Sequence, residues 1–398
     1  MRILMINVVC GIKSTGRICT DLATALESDG HEVKIAYGRD SVPDRYKKYA
    51  LRIGTDMDVA THGIKARISD GCGFGSTRAT RRFVRWIEDF EPDVIHLHNL
   101  HGYYINVEIL FKYLKTCGKR VIWTLHDCWA FTGHSAYCDV VDCEKWRDGC
   151  RNCPMMRWYP KSIVDCSERN WKRKKELFTG VPNLTIVSPS EWLAMLVKES
   201  FLGAYQVRTI HNGIETQVFK PIPSTFKEDH GIANKFMVLG VATAWDEMKG
   251  LSDYYSLSKV LGEDYRVVLV GLSEKQIETL PDTLTGLPRT NDTEELARIY
   301  SAADLFVNLS YCENYPTVNL EAIACGTRVL TYNVGGSSES ALSGGGIVVD
   351  KGDIDGVAKE IVEHAKSESN GKRKTLPIME LDKERTTSEY VKLLEEML

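Results

Sequence analysis

Two glutamates, Glu313 and Glu321, flank the start of a predicted helix in a pattern that could hold an anion between two hydroxyl-bearing groups. Pro316 suits the first turn of that helix, because the N–H that proline lacks would be unsatisfied there. Their separation turns a helix through about 800°, which returns Glu321 near the face that Glu313 caps. The free N–H groups at the helix start would attract a diphosphate. The pattern therefore suits a nucleotide sugar, with the sugar near Glu313 and the ribose near Glu321. The alternative is a capped core helix with two solvated acids.

Length and composition point to a globular protein of two domains. The chain has 398 residues, of which 43% are hydrophobic and 26% charged, and its net charge of −4 disfavours nucleic acid as a partner. No run approaches the roughly 18 apolar residues of a spanning helix, and the apolar start at residues 1–7 is shorter than a secretory signal. We therefore expect a cytoplasmic location, where the 12 cysteines are reduced or metal-bound.

Alternating β-rich runs and helical patterns predict parallel α/β layers in both halves of the chain. The predicted strands cover residues 2–8, 32–37, 93–98, 120–125, 184–188 and 207–210, then 236–242, 265–271, 304–309, 327–332 and 346–350. An Asn-Gly turn at residues 212–213, followed by prolines, marks a domain boundary. We expect an N-terminal domain at 1–213, joined by a C-terminal helix at 379–398, and a C-terminal domain at 214–378.

The segment around the two glutamates, SYCENYPTVNLEA at residues 310–322, resembles the Glu-x7-Glu motif of retaining GT-B glycosyltransferases, the family called glycosyl transferases group 1 or family 4. The resemblance implies an α/β fold with two Rossmann-like domains facing across a cleft and a C-terminal helix that crosses back to the N-terminal domain. It also implies that Glu313 lies at the transferred sugar and that Glu321 binds the ribose hydroxyls. The other donor-binding residues implied on this segment are Asn314, Thr317 and Val318.

Three further segments resemble donor-site segments of that family. Lys249 follows the first strand of the second domain, where the family usually supplies an arginine and a lysine to the diphosphate, but Ala244 occupies the arginine position. His126 follows the strand at 120–125, where a family histidine contacts the donor, and it could donate a hydrogen bond to the sugar. Gly16 and Arg17 fit the family's Gly-rich loop facing the donor phosphate, with a plain strand-to-helix turn as the alternative. The predicted catalytic residues are His126, Lys249 and Glu313.

A segment rich in histidine and tyrosine follows the predicted strand at 93–98. Ligands of open α/β sheets bind at the carboxyl ends of the parallel strands. We therefore predict that this segment lines the acceptor site; satisfied core histidines are the alternative. The predicted acceptor residues are His98, His101, Tyr103 and Tyr104.

Four cysteines lie close together in an insertion at about residues 128–166, namely Cys138, Cys143, Cys150 and Cys153. Their paired spacing suits a structural zinc site with four thiolate ligands, although the central spacer is shorter than in a zinc ribbon. Reduced, buried thiols are the alternative. The neighbouring segment WAFTGH at 129–134 resembles the members of the family found in bacterial surface-polysaccharide pathways of the colanic-acid type.

Two basic stretches with aromatic residues could contact an anionic membrane. One covers residues 78–86 and includes Arg81, Arg82 and Arg85, and the other covers residues 157–175. Basic residues combined with aromatic ones suit such a surface, where an enzyme that extends lipid-linked sugars would dock. A solvated helix face is the alternative.

Together these patterns predict a retaining hexosyltransferase that moves a sugar from a UDP- or GDP-sugar to a lipid-linked or oligosaccharide acceptor in bacterial polysaccharide synthesis. We expect no catalytic divalent metal, because the Asp-x-Asp sequence at residues 56–58 lies among polar residues in the first half. The expected location is the cytoplasm, at the inner face of the cell membrane. The alternatives are a sugar-nucleotide epimerase or phosphorylase on the same scaffold, and a zinc-stabilised binding protein without activity.

Overall fold

A computed structural model describes residues 1–290, 292–368 and 378–397. The chain divides into two compact units, the first formed by Met1–His211 with Thr387–Leu398 and the second by Asn212–Thr386. Each unit has its own parallel sheet and its own core. In this part of the chain, no helix combines the length and the apolar character that crossing a membrane requires.

The first unit is an α/β layer structure. Its strands are β1 (Arg2–Asn7), β2 (Glu32–Tyr37), β3 (Ala50–Arg52), β4 (Val94–Leu97), β5 (Arg120–Thr124), β6 (Leu184–Ser188) and β7 (Gln206–Thr209). Its helices are α1 (Lys13–Ser28), α2 (Asp56–Ser69), α3 (Thr77–Phe90), α4 (Val107–Leu114), α5 (Ser167–Phe178) and α6 (Glu191–Glu199). The sheet order is β3-β2-β1-β4-β5-β6-β7, and all its pairs are parallel. The apolar run of β1 is fully buried because helices cover both faces of such a sheet.

The insertion between β5 and α5 is fixed to the first unit by buried polar contacts. Lys174 of α5 is buried, and its Nζ donates to the carbonyls of Trp129 at 2.7 Å and Thr132 at 3.0 Å. At the end of α2, Asp70 accepts a hydrogen bond from Nδ1 of His134 at 2.6 Å. Burial lowers the pKa of Lys174 to about 7. Two backbone carbonyls of the insertion thus receive hydrogen bonds from a lysine of α5, which anchors the insertion to the rest of the unit.

The second unit repeats the same type of layer structure. Its strands are β8 (Phe236–Val241), β9 (Tyr265–Leu272), β10 (Leu284–Pro288), β11 (Leu305–Asn308), β12 (Val329–Tyr332) and β13 (Ile347–Val349). Its helices are α7 (Phe226–Asp229), α8 (Leu251–Val260), α9 (Glu274–Glu278), α10 (Thr293–Ala302), α11 (Thr317–Ala324), α12 (Ser337–Ser343) and α13 (Ile354–Glu368). The sheet order is β10-β9-β8-β11-β12-β13, again parallel.

The last helix, α14 (Lys383–Glu396), packs on the first unit through its C-terminal part. Tyr390 and Leu394 are buried in the cluster that contains Ile3 of β1. The hydroxyl of Tyr390 shares a hydrogen bond of 3.0 Å with Thr124 at the end of β5. This return of the chain to the first unit agrees with the predicted crossing of the C-terminal helix.

The predicted architecture of two Rossmann-like parallel sheets is confirmed. The sequence prediction missed β3 and β10, and both lie at the edge of their sheet. The sequence predicted a domain boundary after residue 213, and the structure divides the chain after His211.

Candidate functional site

The second unit presents Glu313 and Glu321 on either side of the start of α11. Glu313 lies in the loop that leaves β11, and α11 begins at Thr317 directly after Pro316. Proline therefore precedes the helix here, whereas the sequence analysis placed it in the first turn. The cap position of α11 contributes no side-chain hydrogen bond to the helix start. A helix start of this type can offer its backbone N–H groups to an anion, because the first four have no partner within the helix.

An ion pair joins the two residues predicted to be catalytic in this unit. Nζ of Lys249 lies 2.5 Å from Oε1 of Glu313, and the two side chains are 35% and 14% exposed. Burial alone would lower the pKa of Lys249, but the Glu313 carboxylate outweighs it and the pKa is raised. Lys249 is therefore a cation at neutral pH, and it lies in the loop after β8, which neighbours β11 in the sheet.

The loop that carries Lys249 is fixed by backbone contacts to the loop after β11. The amide of Tyr311 donates to the carbonyl of Met248 at 2.9 Å. Gly250 adopts a φ of +72°, and a Cβ at this position would lie 2.2 Å from the carbonyl oxygen of Leu309. Only glycine accommodates both the left-handed backbone and this close approach. The Lys-Gly pair is thus needed to hold the cation against the loop that bears Glu313.

Glu321 is held by a tyrosine that the sequence analysis did not identify. Oε2 of Glu321 accepts a hydrogen bond from the hydroxyl of Tyr300 on α10 at 2.9 Å, and Tyr300 is fully buried. Burial raises the pKa of Tyr300, and the neighbouring Glu321 carboxylate raises it further, so the phenol stays protonated and can donate. The bond fixes one oxygen of Glu321.

A buried polar network positions α11 against the sheet. Asn319 is fully buried, and its side chain contacts Asn308 of β11 at 2.9 Å and the hydroxyl of Ser340 on α12 at 2.9 Å. Ser337 joins the network through Thr331 of β12 at 2.6 Å. Fully satisfied networks of this kind fix the relation of their elements, because losing one partner would leave a buried polar atom unpaired. The predicted donor residues Thr317 and Val318 begin the helix that the network holds, and Asn314 lies in the loop before it.

In the first unit, Gly16 and Arg17 lie within α1 and not in a Gly-rich loop. The turn before the helix is made by Gly11, with a φ of +72°, and by Lys13, with a φ of +57°. The amide of Gly11 donates to the carbonyl of Gly16 at 3.0 Å, and a Cβ on Gly16 would lie 3.0 Å from the side chain of Val9. Gly16 is therefore a packing residue of the first helical turn, and Arg17 is exposed.

Three histidines cluster at the carboxyl ends of β4 and β5. Nδ1 of His98 lies 3.1 Å from Nε2 of His126, and the rings of His96 and His98 are 4.1 Å apart. Burial lowers the pKa of His126 to about 4 and that of His96 to about 3, and it lowers the pKa of His98 strongly as well. All three imidazoles are therefore neutral at pH 7. His126 can take part in hydrogen bonds at neutral pH, but it does not supply positive charge.

A tyrosine, a histidine and an aspartate form a connected set at the predicted acceptor segment. Nε2 of His101 lies 2.7 Å from Oδ2 of Asp127, and Nδ1 lies 2.8 Å from the hydroxyl of Tyr159. Tyr103 is half-buried and its ring centroid lies 6.2 Å from that of Tyr159. In contrast, Tyr104 is fully buried in the core, like His98. The structure thus brings together His101, Tyr103 and the unpredicted Tyr159, while Tyr104 supports the fold.

The predicted zinc site is not supported. In residues 1–290, 292–368 and 378–397, no group of three or more histidines, cysteines, aspartates or glutamates is arranged to hold a metal ion. Cys138 instead interacts with Cys128, a contact that raises the pKa of the Cys128 thiol. Cys150 accepts a hydrogen bond from the amide of Gly133 at 3.2 Å, and burial raises its pKa to about 12. Burial raises the pKa of Cys153 to about 11. All four cysteines are free thiols, of which Cys138 is buried and Cys143, Cys150 and Cys153 are half-buried.

The low histidine pKa values predict that acid destabilises the first unit. His62, buried against Ser76, has a pKa lowered to about 4 by burial, as His126 has. In the unfolded chain these histidines take up protons near pH 6.5. Between pH 6.5 and 4 the unfolded state therefore binds more protons than the folded state, and the free energy of unfolding decreases as the pH is lowered. The free energy of unfolding, measured in urea, should drop by at least about 2 kcal/mol from pH 7 to pH 5. His62→Gln should reduce this slope, and the exposed His230→Gln should not. A slope that His62→Gln leaves intact would contradict the assignment.

Comparisons with known proteins place the chain in a family. The description "Glycosyltransferase Family 4" matches residues 15–218, more than half of the chain, and "Glycosyl transferases group 1" matches residues 224–376. A provisionally named colanic acid biosynthesis glycosyl transferase, WcaC of Escherichia coli (strain K12), is 25% identical over 368 residues, which cover 89% of this chain and 88% of that protein.

Two solved structures are similar over their whole length. Sucrose-phosphate synthase from Thermosynechococcus elongatus has a TM-score of 0.71 at 17% identity and covers 100% of this chain and 98% of its own. HepE from Anabaena, solved in complex with UDP, has a TM-score of 0.68 at 14% identity and covers 100% of both chains. At these identities the likeness is one of fold, and it confirms the predicted GT-B fold. Since a family description matches more than half of its residues, the chain belongs to Glycosyltransferase Family 4 and is a glycosyltransferase of the group 1 type.

Proposed function

We propose that this glycosyltransferase transfers a hexose from a UDP- or GDP-sugar to a glycan acceptor with retention of anomeric configuration. The observation that carries the proposal is the arrangement at α11, where the Lys249–Glu313 pair lies before the helix start and Glu321 lies on the helix. A cation, free N–H groups and two carboxylates match the parts of a nucleotide sugar. HepE, a protein of the same fold, has been solved with UDP and with UDP-glucose, which supports a nucleotide-sugar donor.

In the proposed donor complex, the diphosphate lies at the start of α11, where Thr317 and Val318 provide N–H groups. Glu321, held in place by the hydroxyl of Tyr300, accepts hydrogen bonds from the ribose hydroxyls. Glu313 accepts from a hydroxyl of the transferred sugar, and Asn314 lies beside it in the chain. No divalent cation is needed in this proposal, because Lys249 and the helix start supply positive charge to the phosphates.

The proposed reaction breaks the bond between the anomeric carbon and the phosphate oxygen. Negative charge develops on the departing diphosphate, where Lys249 would gain interaction energy as the bond lengthens. The acceptor oxygen bonds to the anomeric carbon on the same face, and its proton goes to the departing phosphate. Keeping Lys249 charged is therefore the contribution of Glu313 to the step, in addition to holding the sugar.

We further propose that the acceptor is a lipid-linked glycan at the cytoplasmic face of a bacterial membrane. The relative WcaC is named for colanic acid biosynthesis, which supports a polysaccharide pathway. The exposed cations Arg81, Arg82 and Arg85 on α3 would be attracted to anionic lipid. His101 and Tyr103 are proposed to bind the acceptor, whereas the role of His126 toward the sugar stays a prediction.

A panel of nucleotide sugars tests this function through thermal stabilisation. A donor at about 100 times its dissociation constant stabilises the folded state by roughly 2.7 kcal/mol, which corresponds to a rise in melting temperature of several degrees. We expect a UDP- or GDP-hexose to give such a rise and to release nucleoside diphosphate when membrane lipid extract is added. Stabilisation by none of the panel would contradict the proposal. Conversion of the donor to another nucleotide sugar would instead favour the epimerase alternative.

A further inference from the structure

The first unit carries a stripe of large apolar side chains on the outer side of α2. Met57, Ile64 and Ile68 expose 72%, 61% and 57% of their surface. At about 100° per residue, both isoleucines point within about 20° of the direction of Met57. The buried residues of the helix, His62 and Ala66, lie on the opposite side. The outward face of a surface helix is normally polar, so an apolar outward face indicates a surface that contacts a partner.

A neighbouring loop extends the apolar surface. Ile163 and Val164 expose 78% and 48% of their surface. The amide of Ile163 donates to the carbonyl of Arg67 at 2.8 Å, which fixes this loop at the end of α2, next to Ile68. Half of the ten large apolar side chains that are exposed in the described residues therefore belong to one surface. We call this surface the α2 stripe; it consists of Met57, Ile64, Ile68, Ile163 and Val164.

Cations border the α2 stripe on both sides. On the helix, Lys65 and Arg67 point about 80° to either side of the direction of Met57. The neighbouring loop and the start of α5 add Lys161 and Arg169, and all four residues are exposed. In the part of the chain that the structure describes, none of these cations has a carboxylate within 4.0 Å. Nζ of Lys65 donates to the carbonyl of Phe74 at 2.8 Å, so its charge is held close to the protein.

The nearby carboxylates are engaged by the chain itself. Asp56 pairs with Arg52. Asp58 accepts from the amide of Thr55 at 2.9 Å, and Asp165 accepts from the amide of Cys153 at 2.7 Å. Amide hydrogen bonds do not cancel the charges of Asp58 and Asp165. The four bordering cations still outnumber these two carboxylates, so the border of the stripe is net positive, which is complementary to an anionic surface.

We propose that the α2 stripe inserts into the headgroup region of an anionic membrane, with Arg67 and Lys161 against lipid phosphates. Apolar side chains at the boundary of headgroups and acyl chains leave water, while long basic side chains reach back to the phosphates. The inference deepens the proposed membrane-bound acceptor and rests on it. It assigns the docking surface to α2 and the loop at Ile163.

The sequence analysis predicted α3 as the membrane contact. Helix α3 exposes basic side chains, but its aromatic side chains pack within the protein. Its arginines are exposed, but Phe83 is buried. Trp86 stacks on Phe83 at 6.2 Å and on Phe90 at 4.8 Å. Attraction through α3 would therefore be screened by salt, whereas insertion of the α2 stripe would persist at high salt.

Co-sedimentation with phosphatidylglycerol-rich vesicles tests the proposal on the full chain. The variant Ile64→Ser/Ile68→Ser/Ile163→Ser should lower the partition coefficient by at least about 30-fold at both low and high salt, since each isoleucine contributes its own transfer from water. The matched control Met195→Ser/Val260→Ser/Leu342→Ser removes side chains that are 52%, 54% and 59% exposed elsewhere, and it should bind like wild type. The variant Arg81→Glu/Arg82→Glu/Arg85→Glu should lose binding mainly at low salt.

Wild-type protein that ignores these vesicles, or a stripe variant that binds them like wild type, would overturn the proposal. Sedimentation velocity tests whether a second copy of the chain covers the stripe instead. A wild-type dimer that becomes a monomer in the stripe variant would assign the stripe to a dimer interface and would also overturn the proposal. Stabilisation by UDP or GDP, measured on the same preparations, keeps the two proposals apart. Protein that binds UDP but no vesicles refutes membrane docking alone, whereas protein that binds vesicles but no nucleotide refutes the proposed donor site.

Discussion

Replacing Lys249 by methionine should lower turnover by about 100- to 1000-fold, the effect expected when one well-placed group that stabilises developing charge is lost. Lys249 stays protonated because the Glu313 carboxylate lies 2.5 Å from Nζ and raises its pKa. Methionine keeps the length and the apolar stem of the side chain while it removes the charge. The rate of nucleoside diphosphate release from the donor identified by the panel measures the effect.

The matched control is Lys259→Met, which removes an exposed cation from α8 in the same unit. Its turnover should stay within about twofold of wild type, as for an exposed charge outside the site. Because Lys249→Met also leaves Glu313 unpaired, adding Glu313→Gln should cost less than it does in the wild-type background. Turnover of Lys249→Met close to that of the control would show that the leaving group is stabilised by another residue.

Replacing Glu321 by alanine should raise the donor KM by about 10- to 150-fold, the range for hydrogen bonds to a charged group. Turnover at saturating donor should fall far less, because the proposed partner of Glu321 is the ribose and not the reacting carbon. Tyr300→Phe removes the 2.9 Å bond that fixes the carboxylate and should give a smaller rise in KM, of about 2- to 10-fold. The exposed Glu228→Ala is the control in the same unit. A Glu321→Ala variant with unchanged KM would contradict the assignment.

The sequence was sufficient to predict the fold because the central strands are mostly apolar and are buried on both sides. The two strands it missed are edge strands. β3 has three residues, and β10 contains Gly286 and Pro288, both unusual inside a strand. At an edge, pairing to a single neighbour decides the structure, and that neighbour comes from tertiary packing rather than from the local pattern.

The Lys249–Glu313 contact was within reach of the sequence, whereas the support of Glu321 was not. Both Lys249 and Glu313 follow strands of a parallel sheet, and residues at such carboxyl ends meet at one edge. Tyr300 lies in the last turn of α10, and its direction toward Glu321 depends on how two helices pack. No spacing in the chain encodes that direction.

The zinc prediction and the placement of Gly16 in a loop differ from the structure for a related reason. The spacing of the cysteines suits metal ligands, but the same spacing is compatible with separate free thiols, and Cys138 packs against Cys128 outside the predicted set. Gly16 was assigned to a loop because it fits the family's Gly-rich segment, yet it lies in the first turn of α1, close to Val9. In both cases the residue type fits two environments, and only packing distinguishes them.

The most direct test of the proposed donor site is a calorimetric titration of wild type, Glu313→Ala and Glu321→Ala with the free nucleoside diphosphate, UDP or GDP. The free nucleotide lacks the sugar, so it probes the phosphate and ribose contacts alone. We predict one binding site per chain in wild type, similar affinity in Glu313→Ala, and an affinity lower by at least about tenfold in Glu321→Ala. Equal loss of affinity in both variants, or no binding of either nucleotide to wild type, would contradict the account.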